Sequence, residues 1–427
     1  MTIRWLARAC GRTHNAAVNG LSRYVFPCLA CVALVSCAPT DAPDTTEPRI
    51  TAVEVLALPG SMGPNLAVGP DGTTVLSWIE PLDDGHALRY STLEGSTWSE
   101  PATVAVGEDW FVNWADFPSV VPVSESLWGA HWLVSQPAGG YAYDIFAAIS
   151  TDTGTTWSEP FRPHTDGTET EHGFVSIFAD DDAIGMVWLD GRKMVNEYDE
   201  NDVAASAMTL RTATFVPDGT VSREGEIDGI ICDCCQTDVA VTPAGPVAVY
   251  RDRSTSEIRD NYVSRRIEDV WQPGQAIADD GWEIAACPVN GPAVVADGNN
   301  IAVAWFSAVG DVPKVQFARS TDGGATFAEP VPIATGDNVG RVGVATLPDG
   351  RVAVSWVCGS AYESGQVCLR FVGADDELGE VEVISGDDRV PAFSFPQLVS
   401  AGDDLYAAWT VQTGDVTTVH SARYSLD

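Results

Sequence analysis

Lysine is nearly absent: Lys193 and Lys314 are the only two in 427 residues, and arginine supplies the other 21 of 23 cations. Against those 23 stand 60 acidic residues, for a formal charge of -37 at pH 7. Such a balance repels phosphate backbones and excludes nucleic acid as a partner. The N-terminal apolar run from Val25 to Val35 falls short of the roughly 20 residues that a membrane-spanning helix requires. Also missing is the 3.6-residue spacing of apolar side chains that marks amphipathic helices, which excludes an α-solenoid.

What is present begins with an export signal. Residues 1–36 carry Arg4, Arg8, Arg12 and Arg23, no acid, and the short apolar run. The run ends in Leu34-Val35-Ser36-Cys37, which resembles the lipobox of bacterial lipoproteins, where the cysteine is lipidated and becomes the mature N-terminus. The resemblance implies a signal peptide over 1–36 and a lipid anchor on Cys37. The chain would then sit at the bacterial cell envelope, periplasmic or outer-surface, with the membrane as a partner. Residues 37–50, rich in Pro, Thr and acid, read as a flexible tether. Without the signal the chain keeps 19 basic and 60 acidic residues, a charge of -41.

From residue 51 onward one pattern recurs seven times. "NLAVGPDGTTVLSW" is an alternating strand, a Pro-Asp-Gly turn and a second strand closing on Trp78. Equivalent segments close on Trp132, Trp188, Tyr250, Trp305, Trp356 and Trp409, at spacings of 54, 56, 62, 55, 51 and 53 residues. That period suits a four-stranded propeller blade. The expected fold is an all-β, seven-bladed β-propeller forming a single domain over 51–427. The last repeat is one strand short, and the segment at 51–60 has no partner of its own. It is expected to close the ring and remove an exposed sheet edge.

A propeller gathers the loops that lead into its inner strands around the axis, together with the loops that follow the Trp markers. These stretches hold the unusual residues. Arg192, Arg251, Arg259 and Arg341 on one face of an acidic protein read as a cationic pocket for an acidic glycan or other carboxylate ligand. Trp110, Trp114, Tyr141 and Tyr143 read as an aromatic platform. "GIICDCCQTD" places Cys232, Cys234 and Cys235 before the fourth inner strand, and Cys287 precedes the neighbouring fifth. In an oxidising compartment two disulfides are the preferred outcome. A Zn or Cu site, with His172 as a further ligand, is the alternative, although Cys-x-Cys-Cys lacks the usual zinc spacing. Cys358 and Cys368 flank one hairpin and are expected to bridge it. No cofactor is otherwise required.

Three turns carry a more specific mark. "STDTGTTW" (150–157) and "STDGGATF" (320–327) fit Ser-x-Asp-x-Gly-x-x-aromatic, and "STLEGSTW" (91–98) fits apart from Leu93. These resemble the Asp-box repeats of the sialidase superfamily. That resemblance implies a propeller glycosidase, six-bladed in sialidases, that grips a carboxylate with arginines and uses a Tyr activated by Glu with an Asp acid/base. Carried onto this chain, it points to Tyr362 as the nucleophile, Glu171 or Glu257 beside it, and Asp116 or Asp144 as the acid. The family's Arg-Ile-Pro motif ahead of the first blade is missing. Two further readings stand beside a sialidase-like hydrolase: a non-catalytic binding propeller with disulfide-braced loops, and a Cys/His metal or redox protein. The simpler alternative to the arginine pocket is that "YRDRSTSEIRD" (250–260) is a salt-bridged loop, Arg to Asp and Glu.

Overall fold

A computed structural model describes residues 48–197, 202–360 and 364–426. The proposed signal segment, Cys37 and Tyr362 lie outside the described residues. Pro48–Asp427 forms one compact unit. Among the described residues the only helical pieces are three short 3-10 turns, and none is long and apolar enough to cross a membrane.

Seven antiparallel sheets stand around a common axis. Their inner strands are Met62–Val68, Ser119–Pro122, His172–Asp180, Asp238–Thr242, Ala293–Asp297, Asn338–Thr346 and Gln397–Ala401. Each inner strand neighbours the next, and the last neighbours the first, so the ring is closed. Seven blades, and not the six of the sialidase alternative, are therefore present. In the second blade the outer position is reduced to a single bridge between Ala147 and Phe161. Pro160 and Pro163 flank that bridge and have no N–H to extend it.

All seven markers are buried on second strands. Five of them meet a carboxylate with their polar atom, as when the Trp188 indole donates to Asp190 (2.8 Å) and the Tyr250 hydroxyl to Asp228 (2.6 Å). The other such pairs are Trp78 with Glu80, Trp305 with Asp280 and Trp409 with Asp388. Part of the acidic excess thus satisfies buried donors that would otherwise cost free energy.

The two turns that keep the full Ser-x-Asp-x-Gly pattern have matching hydrogen bonds. Asp152 and Asp322 each accept from the backbone N–H and hydroxyl of the Thr four residues on, at 2.7–2.9 Å. Ser150 and Ser320 each donate to that Asp and accept the N–H of Gly154 or Gly324 at 2.9 Å. In the third copy Leu93 replaces the Asp. The Ser91 hydroxyl is then buried without a partner, and the turn becomes a tight hairpin pairing Leu93 with Trp98.

Ile50–Val53 is the outer strand of the seventh blade, pairing Ile50 with Tyr424 through Val53 with Ser421. Closure by the N-terminal strand is thus as expected, although only four residues take part. Cys358 and Cys368 form the expected disulfide across the second and third strands of the sixth blade.

Candidate functional site on the axial face

Inner strands begin irregularly. The first, third and sixth carry register shifts at their starts, and Phe174, Val289 and Arg341 adopt positive φ there. Bulges and left-handed non-glycine residues store strain and collect at functional sites. Here they turn the lead-in loops toward one another.

Those loops link into a rim above a central cavity of about 490 Å³. Asp116 accepts the Phe174 N–H at 2.8 Å, and Thr237 donates to the Phe174 carbonyl at 2.9 Å. Gln236 donates to the Ala115 carbonyl at 2.6 Å and accepts the Gly291 N–H at 3.3 Å. Asn290 accepts the Arg341 N–H at 2.8 Å, and the Arg341 side chain reaches the Ala392 carbonyl at 3.3 Å. Asp116, Gln236, Phe174, Arg341 and Phe395 line the cavity at this rim. Residues more than 200 positions apart in sequence thereby share one mouth.

The centre of chemical interest is a proton-sharing group. The Tyr143 hydroxyl lies 2.7 Å from Asp116 Oδ2 and 3.0 Å from Glu171 Oε1. One hydroxyl proton cannot serve two carboxylates. For both contacts to be hydrogen bonds, one carboxyl must carry a proton of its own. Burial pushes Asp116 up to about 7, although Tyr143 and the Phe174 N–H pull it down. Burial again dominates at Glu171, and with the charges of Asp116, Asp233 and Cys287 it pushes that carboxyl up to about 8. Tyr143 itself is raised well above the usual phenol range by burial and by the two carboxyls. Gly173 is required here, because a Cβ at that position would fall 1.9 Å from Asp116 Oδ2.

Tyr143, expected as a binding residue, is fully buried and stacked on Phe111 at 4.0 Å, so it acts within the group and not on its surface. Asp116, expected as a catalytic acid, is buried as well. Of the three, only Glu171 keeps partial exposure. Trp114 is exposed at the rim, stacked on Phe395 at 5.9 Å with Arg341 packed over both rings. Tyr141 is exposed beside Phe111 at 6.1 Å. Trp110, by contrast, is buried against Trp132 and forms no platform.

The expected four-arginine pocket is not formed, because the guanidinium groups of Arg192, Arg251 and Arg259 have internal tasks, while Arg341 lines the cavity with its Nη1 buried and unpartnered. Arg251 is buried and donates to the carbonyls of Asn290, Arg259 and Phe306. Arg192 is held by both oxygens of Asp190 at 2.7 Å. Arg259 donates to Glu257 (2.8 Å) and to Cys232 Sγ (3.2 Å), and Arg253 also binds Glu257 at 2.6 Å. The loop 250–260 is the salt-bridged structure that the simpler reading described. Arg341 is buried between aromatic rings, which pushes it down to about 10.

Cys232, Cys234, Cys235 and Cys287 are free thiols here, and the preferred pair of disulfides among them is not formed. His172 does not join them. Its ring stacks on His164 at 3.9 Å, Nδ1 donates to the Thr170 carbonyl at 3.1 Å, and Nε2 is 3.3 Å from Asp166. Asp144 and Asp190 complete that second cluster. Burial acts to lower His172, but Asp166, Asp190 and Asp144 prevail and raise it. His164 is lowered, chiefly by burial. Asp166 and Asp233 were not singled out from sequence: one lies in a loop of ordinary polar composition, the other between cysteines.

No family model matches the sequence, nor does any curated protein. Solved structures resemble it in fold. A protein of unknown function from Dyadobacter fermentans DSM 18053 aligns over 89% of this chain and 100% of its own, at 13% identity and a TM-score of 0.50. The sialidase of Trypanosoma rangeli in complex with sialic acid aligns over 84% of this chain and 59% of its own, at 12% identity and a TM-score of 0.48. An α-L-arabinanase of Penicillium chrysogenum complexed with arabinobiose covers 88% and 98%, at 13% identity and a TM-score of 0.46. At these identities the likeness is one of fold alone.

Proposed function

We propose that this chain is a cell-envelope propeller, lipid-anchored through Cys37, that binds a glycan on its axial face and hydrolyses a glycosidic bond there, with Glu171 as the proton donor. The observation that carries the reading is the Tyr143 hydroxyl shared between Asp116 and Glu171. It keeps a proton on a carboxyl at neutral pH, and Trp114, two residues before Asp116 in the same lead-in loop, is exposed. A general acid must hold its proton at working pH and release it to a leaving oxygen. Glu171 gives that proton to the glycosidic oxygen as the C1–O bond breaks. Water supplies the hydroxyl to C1, and its remaining proton restores the carboxyl group. Asp116 and Tyr143 position Glu171 and exchange protons with it, while Trp114 offers a face on which a sugar ring stacks.

A neutral glycan fits this face better than the acidic one expected from sequence. Three of the four arginines that would grip a carboxylate, Arg192, Arg251 and Arg259, are internally paired, and the field around Glu171 includes Asp116 and Asp233. The test is a hydrolysis screen of neutral and acidic oligosaccharides with the unaltered chain and with Glu171→Gln. A neutral substrate is expected to be turned over, with kcat falling about 10²–10⁴-fold in the variant. Binding is expected to remain. Turnover of sialosides alone, or activity indifferent to Glu171→Gln, would refute the assignment.

A further inference from the structure

We propose that Cys232, Cys234, Cys235 and Cys287 form a binding site for one thiophilic closed-shell cation, Zn²⁺ or Cu⁺, that ties the lead-in loops of the fourth and fifth blades together at the rim. The site is independent of the glycan reading.

Geometry comes first. Cys232 Sγ is 3.9 Å from Cys234 Sγ and 3.4 Å from Cys235 Sγ, and all three sulfurs lie within 4.8 Å of one another. Tetrahedral Zn–S bonds of about 2.3 Å place the sulfurs about 3.8 Å apart, so the observed spacing needs only small adjustment to accept an ion. Cys287, the exposed member, comes from the neighbouring loop and lies near Cys234, outside the group of three sulfurs. It can supply the fourth ligand of a tetrahedral zinc site or remain outside a three-thiolate copper site.

Two donors point at the sulfurs. Arg259 donates to Cys232 Sγ at 3.2 Å, and the Asn290 N–H donates to Cys235 Sγ at 3.3 Å. Donors to ligating sulfur, with positive charge nearby, are the outer shell that thiolate metal sites require. The buried Arg259 guanidinium thus divides its donors between Glu257 and the sulfur cluster. The chain also brings two loops together here, with the Gly291 position so close to the Gln236 carbonyl that a Cβ would fall 1.9 Å from it. A metal bridge would hold that approach without a covalent link. The nearby group of Asp166, His172 and Asp190 is a weaker candidate, because Arg192 already occupies both Asp190 oxygens.

The full chain, purified without chelator, is analysed for metal and for thiol alkylation before and after chelation. Zinc is read by transfer to a chromogenic chelator and copper by a Cu⁺-selective one. One equivalent of either metal is expected, with Cys232, Cys234 and Cys235 protected from alkylation until the ion is removed. Cobalt replacement should give the visible bands of thiolate coordination. Cys232→Ser/Cys234→Ser should lose the ion, while Cys358→Ser/Cys368→Ser, which removes the disulfide outside the cluster, should keep it. Two disulfides among the four residues, or alkylation equally fast with and without added zinc or copper, would overturn the proposal. The protection measurement needs no variant, so it decides the matter even if the double substitution misfolds.

Discussion

At the scale of single residues, Asp116 is the most informative side chain. Its position ahead of the second inner strand made it legible as a candidate, but nothing local to "DWFVNWADFPS" (109–119) says that its partners are Tyr143 and the Phe174 N–H, 27 and 58 positions away. Sequence separation carries no information about which rim residue faces which. That also explains why Arg192, Arg251 and Arg259 were misread: their type was visible and their internal partners were not. The consequence for stability has a definite sign. Asp116 is raised to about 7 from an ordinary 3.8, so the folded protein binds more protons than the unfolded chain between those pH values. Stability from this site is therefore present below about pH 4 and lost as pH rises through about 7. Asp116→Asn keeps the hydrogen-bond geometry and abolishes the titration. Relative to the unaltered chain, the variant is expected to gain on the order of 3 kcal/mol between pH 4 and pH 8. Urea unfolding at a series of pH values checks this, and parallel profiles for the two proteins would contradict it.

At the scale of elements, most of the architecture was readable, because the signal repeats and its chemistry is local. The turns at 150–157 and 320–327 make the same bonds because Ser, Asp, Gly and Thr within seven residues are sufficient to build the turn. The disulfide was readable for a similar reason, as both cysteines border one hairpin. Boundaries were less clear where a strand is short: the reduced outer position of the second blade follows from prolines whose effect depends on the neighbouring strand. Ser320 offers a direct test of the local argument. Its buried hydroxyl donates to Asp322 and receives the Gly324 N–H. Ser320→Ala leaves that N–H without a partner and is expected to cost about 1–3 kcal/mol. Ser91→Ala, where the hydroxyl has no partner to lose, is expected to cost less. Chemical denaturation of the two variants side by side measures the difference. Equal costs would show that the Asp-box bonds do not support the turn.

At the scale of the whole molecule, the fold rests on closing a ring whose first and last strands are more than 360 residues apart in sequence. Three pieces meet at Ser421. Its hydroxyl donates to the Val53 carbonyl of the closing strand at 2.8 Å and accepts the Trp98 indole N–H of the first blade at 2.8 Å. Trp98 in turn packs edge-on against Tyr406 at 6.0 Å. One buried hydroxyl thus joins the N-terminal strand, the last blade and the first. No local pattern announces that role, since "VHSARY" (419–424) reads as an ordinary alternating strand. A ring of packed blades unfolds cooperatively only if its seam is as strong as its other interfaces. Ser421→Ala is expected to cost about 2 kcal/mol by leaving the buried Trp98 donor and Val53 acceptor unpaired. Because the loss falls at the seam, hydrogen exchange should quicken first in Ile50–Val53 and Val416–Ser425, ahead of the fourth blade opposite. Exchange that rises equally in all blades would mean that the seam is no weaker a point than the rest of the ring.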